Sequence, residues 1–170
     1  MEQSKKNCCE MLHQRGYVVE EQFDSLVSFK ATKQSELLIC VYFHSLPKLN
    51  KKYIAKYISS MEAENCSHSI IIYTETITTM MVKALSTTVG AKIELFKMKE
   101  LSFNLTKHRL QPKRFTCLTE EETRIFKEQF GIKIPVLKSN DMVCRFFNYN
   151  RGSIIEIEKK NGLIDYRIVK

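Results

Sequence analysis

Glycine is scarce in this chain of 170 residues, which contains only five of them. Loops that cradle phosphate groups depend on glycine, because their backbone N–H groups must approach the phosphates closely. The sequence contains neither G-x-x-x-x-G-K-[ST] nor G-x-G-x-x-G. These absences argue against the two common classes of nucleotide-binding loop.

Patterns typical of catalytic and metal sites are missing as well. No G-x-S-x-G elbow marks a serine nucleophile, and the four histidines lack the spacing of metal ligands. Glu94 and Lys97 follow one predicted strand, but a two-metal nuclease also needs a second converging acid, and the pattern supplies none. We therefore expect a protein that is not itself an enzyme and that holds no metal or cofactor.

The six cysteines form no C-x-x-C pair, and most of them lie inside apolar runs. Reduced core thiols explain this pattern better than a disulfide framework or a zinc site. Apolar runs long enough to span a bilayer are absent, and the N-terminal segment MEQSKKNCCE is polar. We expect an intracellular protein that makes no membrane contact.

Positive charge is concentrated in the second half of the chain. Residues 1–104 carry 13 lysines and arginines against 11 acids, whereas residues 105–170 carry 14 against 8, a net charge of +6. A basic surface favours an acidic partner, which is either nucleic acid or an acidic protein surface. The sign of the charge does not choose between them.

The first half of the chain alternates between strand and helix patterns. The runs LLICVYF (37–43) and SIIIY (69–73) are apolar without alternation, which is typical of parallel strands buried on both faces. Between them Asn50 can cap an amphipathic helix. A first helix over Lys5–Arg15 that ends at Gly16, a further helix over Thr78–Val89 and a strand over Ala91–Phe96 complete the predicted elements. This order predicts an α/β domain with a β-α-β-α-β core and a mostly parallel sheet.

The second half begins with a basic connector, residues 106–114, which is read either as a solvated loop or as a docking strap for an acidic partner. The solvated loop is the favoured reading. Thr119 and Glu122 then form a capping box for a helix that runs to Phe130. Ser139-Asn140-Asp141 can cap a second helix, so a small α+β unit is predicted.

A hairpin is predicted at the end of this unit, because Asn161-Gly162 lies between two strand-like runs and favours a two-residue type I′ turn. That turn sets Glu158 against Asp165, a like-charge pair. It also pairs Ile157 with Tyr166 and Ile155 with Ile168 on an apolar face that packs on the unit's own helices, and Glu156 with Arg167 on a charged face.

A stand-alone nucleic-acid-binding protein is the main alternative, and a divergent nuclease is a third. The aromatic residues of the second half could stack on bases, but their helical spacing favours a role in the core. These residues are Phe115, Phe126, Phe130, Phe146 and Phe147.

The motifs of residues 105–170 resemble a known family when they are taken together and in order. The segments LTKHRLQPKR, IPVL, DMVCRFF, NRGSIIEI and DYRIVK are similar to the C-terminal assembly domain of the fifth subunit of eukaryotic nuclear RNA polymerases, a domain that archaeal polymerases also possess. The matching positions are His108, Leu110, Pro112, Lys113, Ile134-Pro135, Asp141, Val143, Arg151-Gly152, Ile157 and Tyr166-Arg167. Met142 stands where the family has proline.

The first half resembles the family's N-terminal jaw domain more loosely. Arg15-Gly16-Tyr17, the strand Ile70–Tyr73 and Ile77-Thr78 carry this similarity. The archaeal counterparts lack the jaw, and the jaw here is short for a nuclear subunit, so the resemblance favours a viral homologue. Thr79 replaces the proline that is usual in the jaw loop facing DNA.

The resemblance implies a non-catalytic subunit of a DNA-dependent RNA polymerase, with a jaw domain (1–104) and an assembly domain (105–170). The assembly domain would dock on the largest subunit, and the jaw would lie beside downstream duplex DNA. The implied partner-binding residues are His108, Pro112, Lys113, Arg145, Arg151, Gly152, Glu156, Tyr166 and Arg167. The implied DNA-proximal residues, for weak contact that does not depend on sequence, are Thr76, Thr78, Thr79 and Lys83. The protein would act at a cytoplasmic viral transcription site and in the virion if viral, or in the nucleus if cellular.

Overall fold

A computed structural model of the chain describes residues 2–22, 26–34, 36–46, 49–86, 90–131 and 133–170. The chain divides into two compact units, Met1–Phe103 and Asn104–Lys170. In these described ranges, no helix has the length and apolar character needed to cross a membrane.

The N-terminal unit is built on a five-stranded mixed sheet in the order β1-β2-β3-β4-β5. The strands β3, β4 and β5 run parallel, whereas β1, β2 and β3 pair antiparallel. The elements are α1 (Glu2–Gln14), β1 (Val18–Glu21), β2 (Phe29–Lys33), β3 (Glu36–His44), α2 (Lys51–Ala63), β4 (His68–Tyr73), α3 (Thr79–Ser86), β5 (Lys92–Lys97) and a 3-10 helix over Met98–Leu101. The prediction therefore holds for the parallel part of the sheet, but it missed β1 and β2.

Local sequence explains the elements that were predicted correctly. Asn50 caps α2, since its side-chain oxygen accepts a hydrogen bond from the N–H of Tyr53 at 3.2 Å. All three isoleucines of β4 are fully buried, as an apolar run without alternation requires when both faces of the sheet are covered. The end of α3 as predicted, residues 87–89, lies outside the described residues.

A buried ionic cluster ties α1 to the sheet. The guanidinium of Arg15 donates two hydrogen bonds of 2.8 Å to the two carboxylate oxygens of Glu94 on β5. His68, at the start of β4, contacts the same carboxylate at 2.7 Å. Burial alone raises the pKa of Glu94, but the hydrogen bonds and positive charge of His68 and Arg15 outweigh it and lower the pKa to about 2.

We predict that Glu94→Gln lowers the free energy of unfolding of the N-terminal unit by about 3 kcal/mol at pH 7, because Arg15 then keeps a buried charge without its counter-ion. Because the pKa of Glu94 is lower in the folded state than in the unfolded state, its charge stabilises the fold fully above the unfolded-state pKa and progressively less as the pH falls. The difference in unfolding free energy between wild type and the variant should therefore shrink by about 2 kcal/mol between pH 6 and pH 3. Urea unfolding followed by NMR signals of the sheet measures both quantities.

The matched control is Glu64→Gln, which removes the more exposed ion pair between Lys30 and Glu64. This change should cost about 1 kcal/mol or less. Equal losses for the two variants, or a loss at Glu94 that does not vary with pH, would contradict the assignment.

The C-terminal unit contains a four-stranded sheet in the order β6-β8-β9-β7. Its strands pair antiparallel except for β7 and β9, which are parallel. The elements are a 3-10 helix over Leu105–Lys107, β6 (Arg114–Cys117), α4 (Glu120–Phe130), β7 (Val136–Leu137), α5 (Met142–Phe147), β8 (Ile154–Glu158) and β9 (Ile164–Val169).

The predicted helix caps of this unit are confirmed. The hydroxyl oxygen of Thr119 accepts a hydrogen bond from the N–H of Glu122 at 3.2 Å, and the carboxylate of Glu122 accepts one from the N–H of Thr119 at 2.8 Å. The helix α4 ends before Gly131, whose φ is 71°. Asp141 caps α5 by accepting a hydrogen bond from the N–H of Val143.

The predicted register of the terminal hairpin is wrong by one residue. The N–H of Lys159 donates to the carbonyl of Leu163 at 2.8 Å, so the loop has three residues, 160–162. The left-handed region is occupied by Gly162 at φ 81°, and Asn161 lies outside it. A three-residue loop that closes on a left-handed glycine therefore replaces the type I′ turn, which needs two positive φ values.

This shift moves Tyr166 and Arg167 to opposite faces from those predicted. Tyr166 pairs with Glu156, and Arg167 pairs with Ile155. The predicted charged pair of Glu156 with Arg167 therefore does not form. The predicted like-charge contact is absent too, since Glu158 pairs with Ile164 in the observed register.

We predict that Gly162→Ala lowers the stability of the C-terminal unit by about 1–2 kcal/mol, the cost of a side chain in the left-handed region. Asn161→Ala should cost less, about 0.5 kcal/mol, because that residue needs no unusual conformation and loses only the exposed hydrogen bond that its side-chain oxygen accepts from the N–H of Leu163 at 3.2 Å. Denaturant unfolding followed by NMR signals of β8 and β9 provides the comparison. Similar losses for both variants would instead support the two-residue turn.

Candidate interaction surfaces

An apolar groove lies between α4 and β9 of the C-terminal unit, and we call it the α4–β9 groove. It consists of two adjoining hollows of about 330 and 280 Å³ that share Phe126, Phe130 and Tyr166. Its other apolar lining residues are Leu118, Ile125, Ile134, Pro135 and Ile164. The polar lining residues are Glu122, Gln129, Glu156, Asp165 and Arg167. Large apolar side chains are exposed to solvent here, since Phe130 is 67% exposed and Ile164 is 51% exposed.

Tyr166 forms the floor of this groove. Its ring centroid is 4.6 Å from that of Phe126, and its hydroxyl donates a hydrogen bond of 3.0 Å to the carboxylate of Glu156. Burial, followed by that hydrogen bond, raises the pKa of Tyr166. The structure thus brings together two predicted partner-binding residues, Glu156 and Tyr166.

Arg167 borders the α4–β9 groove and a further hollow of about 270 Å³ that Pro112 also lines. Arg151 is exposed at the entrance of the hairpin. Within the described parts of the chain, neither guanidinium has an ion-pair partner. Gly152 adopts φ 87°, and its N–H donates to the carbonyl of Val169 at 2.8 Å. The two arginines are therefore available to a partner.

The other predicted partner-binding residues do not form one cluster. Lys113 and Arg114 contact the carboxylate of Glu158, and the ring of His108 accepts a hydrogen bond from the backbone of its own turn. Arg145 lies on α5, half-buried. Part of the positive charge of the basic connector is thus paired with an acidic residue of the same unit.

The aromatic residues of this unit divide into two groups. Phe126 and Phe146 are buried, and Phe115 and Phe147 are half-buried, so a core role is confirmed for these four. The prediction is wrong for Phe130, which is exposed. Helical spacing places Phe126 and Phe130 on one face, but spacing alone does not reveal how far the unit's own sheet extends beneath that face.

The predicted DNA-proximal threonines lie at or just before the start of α3, whereas Lys83 lies in its last turn. Thr76, Thr78, Thr79 and Lys83 are all exposed. The hydroxyl oxygen of Thr78 accepts a hydrogen bond from the N–H of Met81 at 3.3 Å, so it caps the helix. These side chains form an exposed polar rim without a defined binding site.

The cysteines match their prediction as free thiols, and Cys8, Cys40, Cys66 and Cys144 are buried. Across the described residues, no group of three histidine, cysteine or acidic side chains is arranged to hold a metal ion.

Comparisons with known proteins agree with the resemblance. A family model described as RNA polymerase Rpb5, C-terminal domain, matches residues 103–169. The chain is 29% identical over 182 residues to 454R of Invertebrate iridescent virus 6, described as a DNA-directed RNA polymerase subunit, which covers 92% of this chain and 98% of the relative. It is 28% identical over 188 residues to subunit rpabc1 of DNA-directed RNA polymerases I, II and III of Dictyostelium discoideum, covering 98% and 95%.

Similarity thus extends through both units, beyond the part matched by the family model. Subunit 5A of DNA-directed RNA polymerase V of Arabidopsis thaliana is 23% identical over 188 residues, covering 97% of this chain and 84% of the relative. These matches support the expected resemblance to Rpb5, the fifth subunit of DNA-directed RNA polymerases. The similarity to an iridescent virus protein supports the expected viral homologue.

Proposed function

We propose that this chain is a non-catalytic subunit of a DNA-dependent RNA polymerase whose C-terminal unit docks on the largest subunit. The names of its relatives, which are subunits of DNA-directed RNA polymerases, are the basis for proposing this complex. The observation that carries the docking role is the α4–β9 groove, in which Phe130 and Ile164 stand in water beside Arg167. Contiguous exposed apolar side chains of this kind mark sites of protein association.

The composition of the groove suits a stable protein interface. Aromatic residues and arginine are enriched in the energetically important centres of such interfaces. Phe130 and Tyr166 provide apolar surface, and the fork of Arg167 can donate two hydrogen bonds to a carboxylate or to backbone carbonyls of the partner.

The corrected register changes how the hairpin takes part in docking. Arg167 now belongs to the rim of the groove, while Glu156 is held inside it by Tyr166. The hairpin thus contributes an edge of the apolar groove instead of a charged face. The remaining partner-binding residues implied by the resemblance are also proposed contacts of the largest subunit. They are His108, Pro112, Lys113, Arg145, Arg151 and Gly152.

We predict that Phe130→Glu abolishes co-purification with the largest subunit under a high-salt wash, because a carboxylate cannot be desolvated against the apolar partner. Lys127→Gln is the matched control, since it changes the net charge by the same single unit on the same helix outside the groove. Co-expression of tagged chain with the polymerase subunits, followed by mass spectrometry, gives the readout.

The arginines are tested by Arg151→Ala combined with Arg167→Ala, with Arg124→Ala as the control on α4. The double variant should reduce recovery of the largest subunit by about tenfold or more, whereas the control should not, since Arg124 is paired with Glu121 and Glu128. Undiminished recovery with both Phe130→Glu and the double arginine variant would overturn the docking proposal.

For the N-terminal unit we propose the role of a jaw beside downstream DNA, with contact to phosphates from Thr76, Thr78, Thr79 and Lys83. Their exposure supports this role, and hydroxyls and ammonium groups position duplex without reading bases. Weak contact is expected, because four such side chains supply little of the charge that tight binding needs.

We predict that Lys83→Ala in the assembled polymerase lowers the affinity for downstream DNA slightly, and by the same factor for every DNA sequence. The slope of log affinity against log salt should decrease by about 1, the share of one phosphate contact. Downstream DNA that carries a photocrosslinker but never reaches residues 76–83 would contradict the jaw role.

The alternative is a stand-alone nucleic-acid-binding protein. Its discriminating property is the affinity of the isolated chain for duplex DNA at physiological salt, which is tight for a dedicated binder and weak for a polymerase subunit. As a viral subunit the protein would act at the cytoplasmic transcription site and enter the virion, and as a cellular one it would act in the nucleus.

A further inference from the structure

A second apolar groove, the α2–α3 groove, lies in the N-terminal unit beside the proposed DNA-proximal residues, one of which, Thr78, lines it. Its volume is about 410 Å³. Ile54 and Leu85 form its buried floor, Ile58 and Met81 line its walls, and Met80 and Lys51 stand at its rim. This volume falls in the range of about 300–1,000 Å³ that is usual for ligand sites.

Methionine gives this groove an adaptable edge. Met80 is 77% exposed although it is one of the most apolar residues of α3. The unbranched thioether side chain adjusts to differently shaped apolar partners, and proteins that bind amphipathic helices use methionine for this purpose. Met80 therefore has the chemistry of a contact residue.

The polar groups of the groove do not suit a small polar ligand or DNA. Lys51 and Thr78 are its polar lining residues in the described part of the chain, and the hydroxyl of Thr78 is already used to cap α3. A small polar ligand needs several convergent polar groups to fix its orientation. The phosphate backbone of a duplex carries no apolar surface to bury there. The occupant must therefore present apolar side chains.

The charge around the groove indicates an acidic occupant. The helix α3 contains no acidic residue, and α2 carries three exposed lysines, Lys51, Lys52 and Lys56, against one acid near its C-terminal end, Glu62. In the described part of the chain, these three lysines have no ion-pair partner. Charges of this arrangement attract acidic side chains and repel basic ones.

We propose that the α2–α3 groove binds a short amphipathic helix of a partner protein, with apolar residues on one face and acidic residues on its flanks. Two helices with an apolar floor between them form the usual receptor for such a helix, which inserts side chains spaced three or four residues apart. The α4–β9 groove and its docking role are not needed for this inference.

The test uses the full chain and a fluorescent helical peptide of about 15 residues, with leucine at i, i+3, i+4 and i+7 and glutamate on its flanks. The control peptide replaces every glutamate with lysine. Fluorescence polarisation should give saturable binding of the acidic peptide, and binding of the basic peptide at least about tenfold weaker.

Variants locate the binding site. Met80→Glu should weaken binding of the acidic peptide by about tenfold or more, whereas Val82→Glu, on the same helix but outside the groove, should change it by less than about twofold. Lys51→Glu should weaken the acidic peptide and strengthen the basic one. This exchange of preference cannot result from a loss of folding.

NMR of ¹³C-methyl-labelled methionine provides an independent readout. The acidic peptide should shift the methyl signals of Met80 and Met81 and leave that of the fully buried Met11 unchanged. Absence of saturable binding, equal affinity for both peptides, or insensitivity to Met80→Glu would overturn the proposal. Shifts of Met80 and Met81 on addition of duplex DNA instead of the peptide would assign the surface to DNA.

Discussion

The loop of the terminal hairpin determines which side chains of the C-terminal unit a partner can reach. A single left-handed residue, Gly162, closes a three-residue loop and fixes the pairing of β8 with β9. Because side chains alternate along a strand, that pairing sends Tyr166 toward α4 and leaves Arg167 at the rim of the groove. A shift of one residue would exchange the two and remove the floor of the α4–β9 groove. The proposed docking surface therefore depends on one backbone conformation.

Much of the fold could be predicted from the sequence wherever a residue pattern is compatible with a single local structure. Unbroken apolar runs identified the parallel strands, and Asn50, Thr119 and Asp141 identified helix starts through their capping oxygens. The strands β1 and β2 were missed because they are short and carry charged residues on exposed positions. The hairpin register failed because an Asn-Gly pair fits two loop lengths, and packing of the strands decides between them.

The candidate surfaces were harder to predict than the fold, for a related reason. Helical periodicity shows that a face is apolar, but not whether the chain's own sheet or another protein covers it. Phe130 and Met80 share this ambiguity, and their exposure shows that the described part of the chain does not cover them. The two grooves also differ in chemistry: rigid aromatic rings with arginine suit permanent assembly, whereas methionine with lysine suits exchangeable partners. We therefore expect long residence times at the first groove and short ones at the second.

The order of strands has a consequence for how each unit folds during synthesis. In the N-terminal sheet every strand pairs with the one made just before it, so the sheet can grow as the chain emerges from the ribosome. In the C-terminal sheet β6 must wait for β8, and β7 must wait for β9, the last strand of the unit. The C-terminal sheet therefore needs strands from both ends of its unit before it is complete, while the N-terminal sheet can be built one strand at a time.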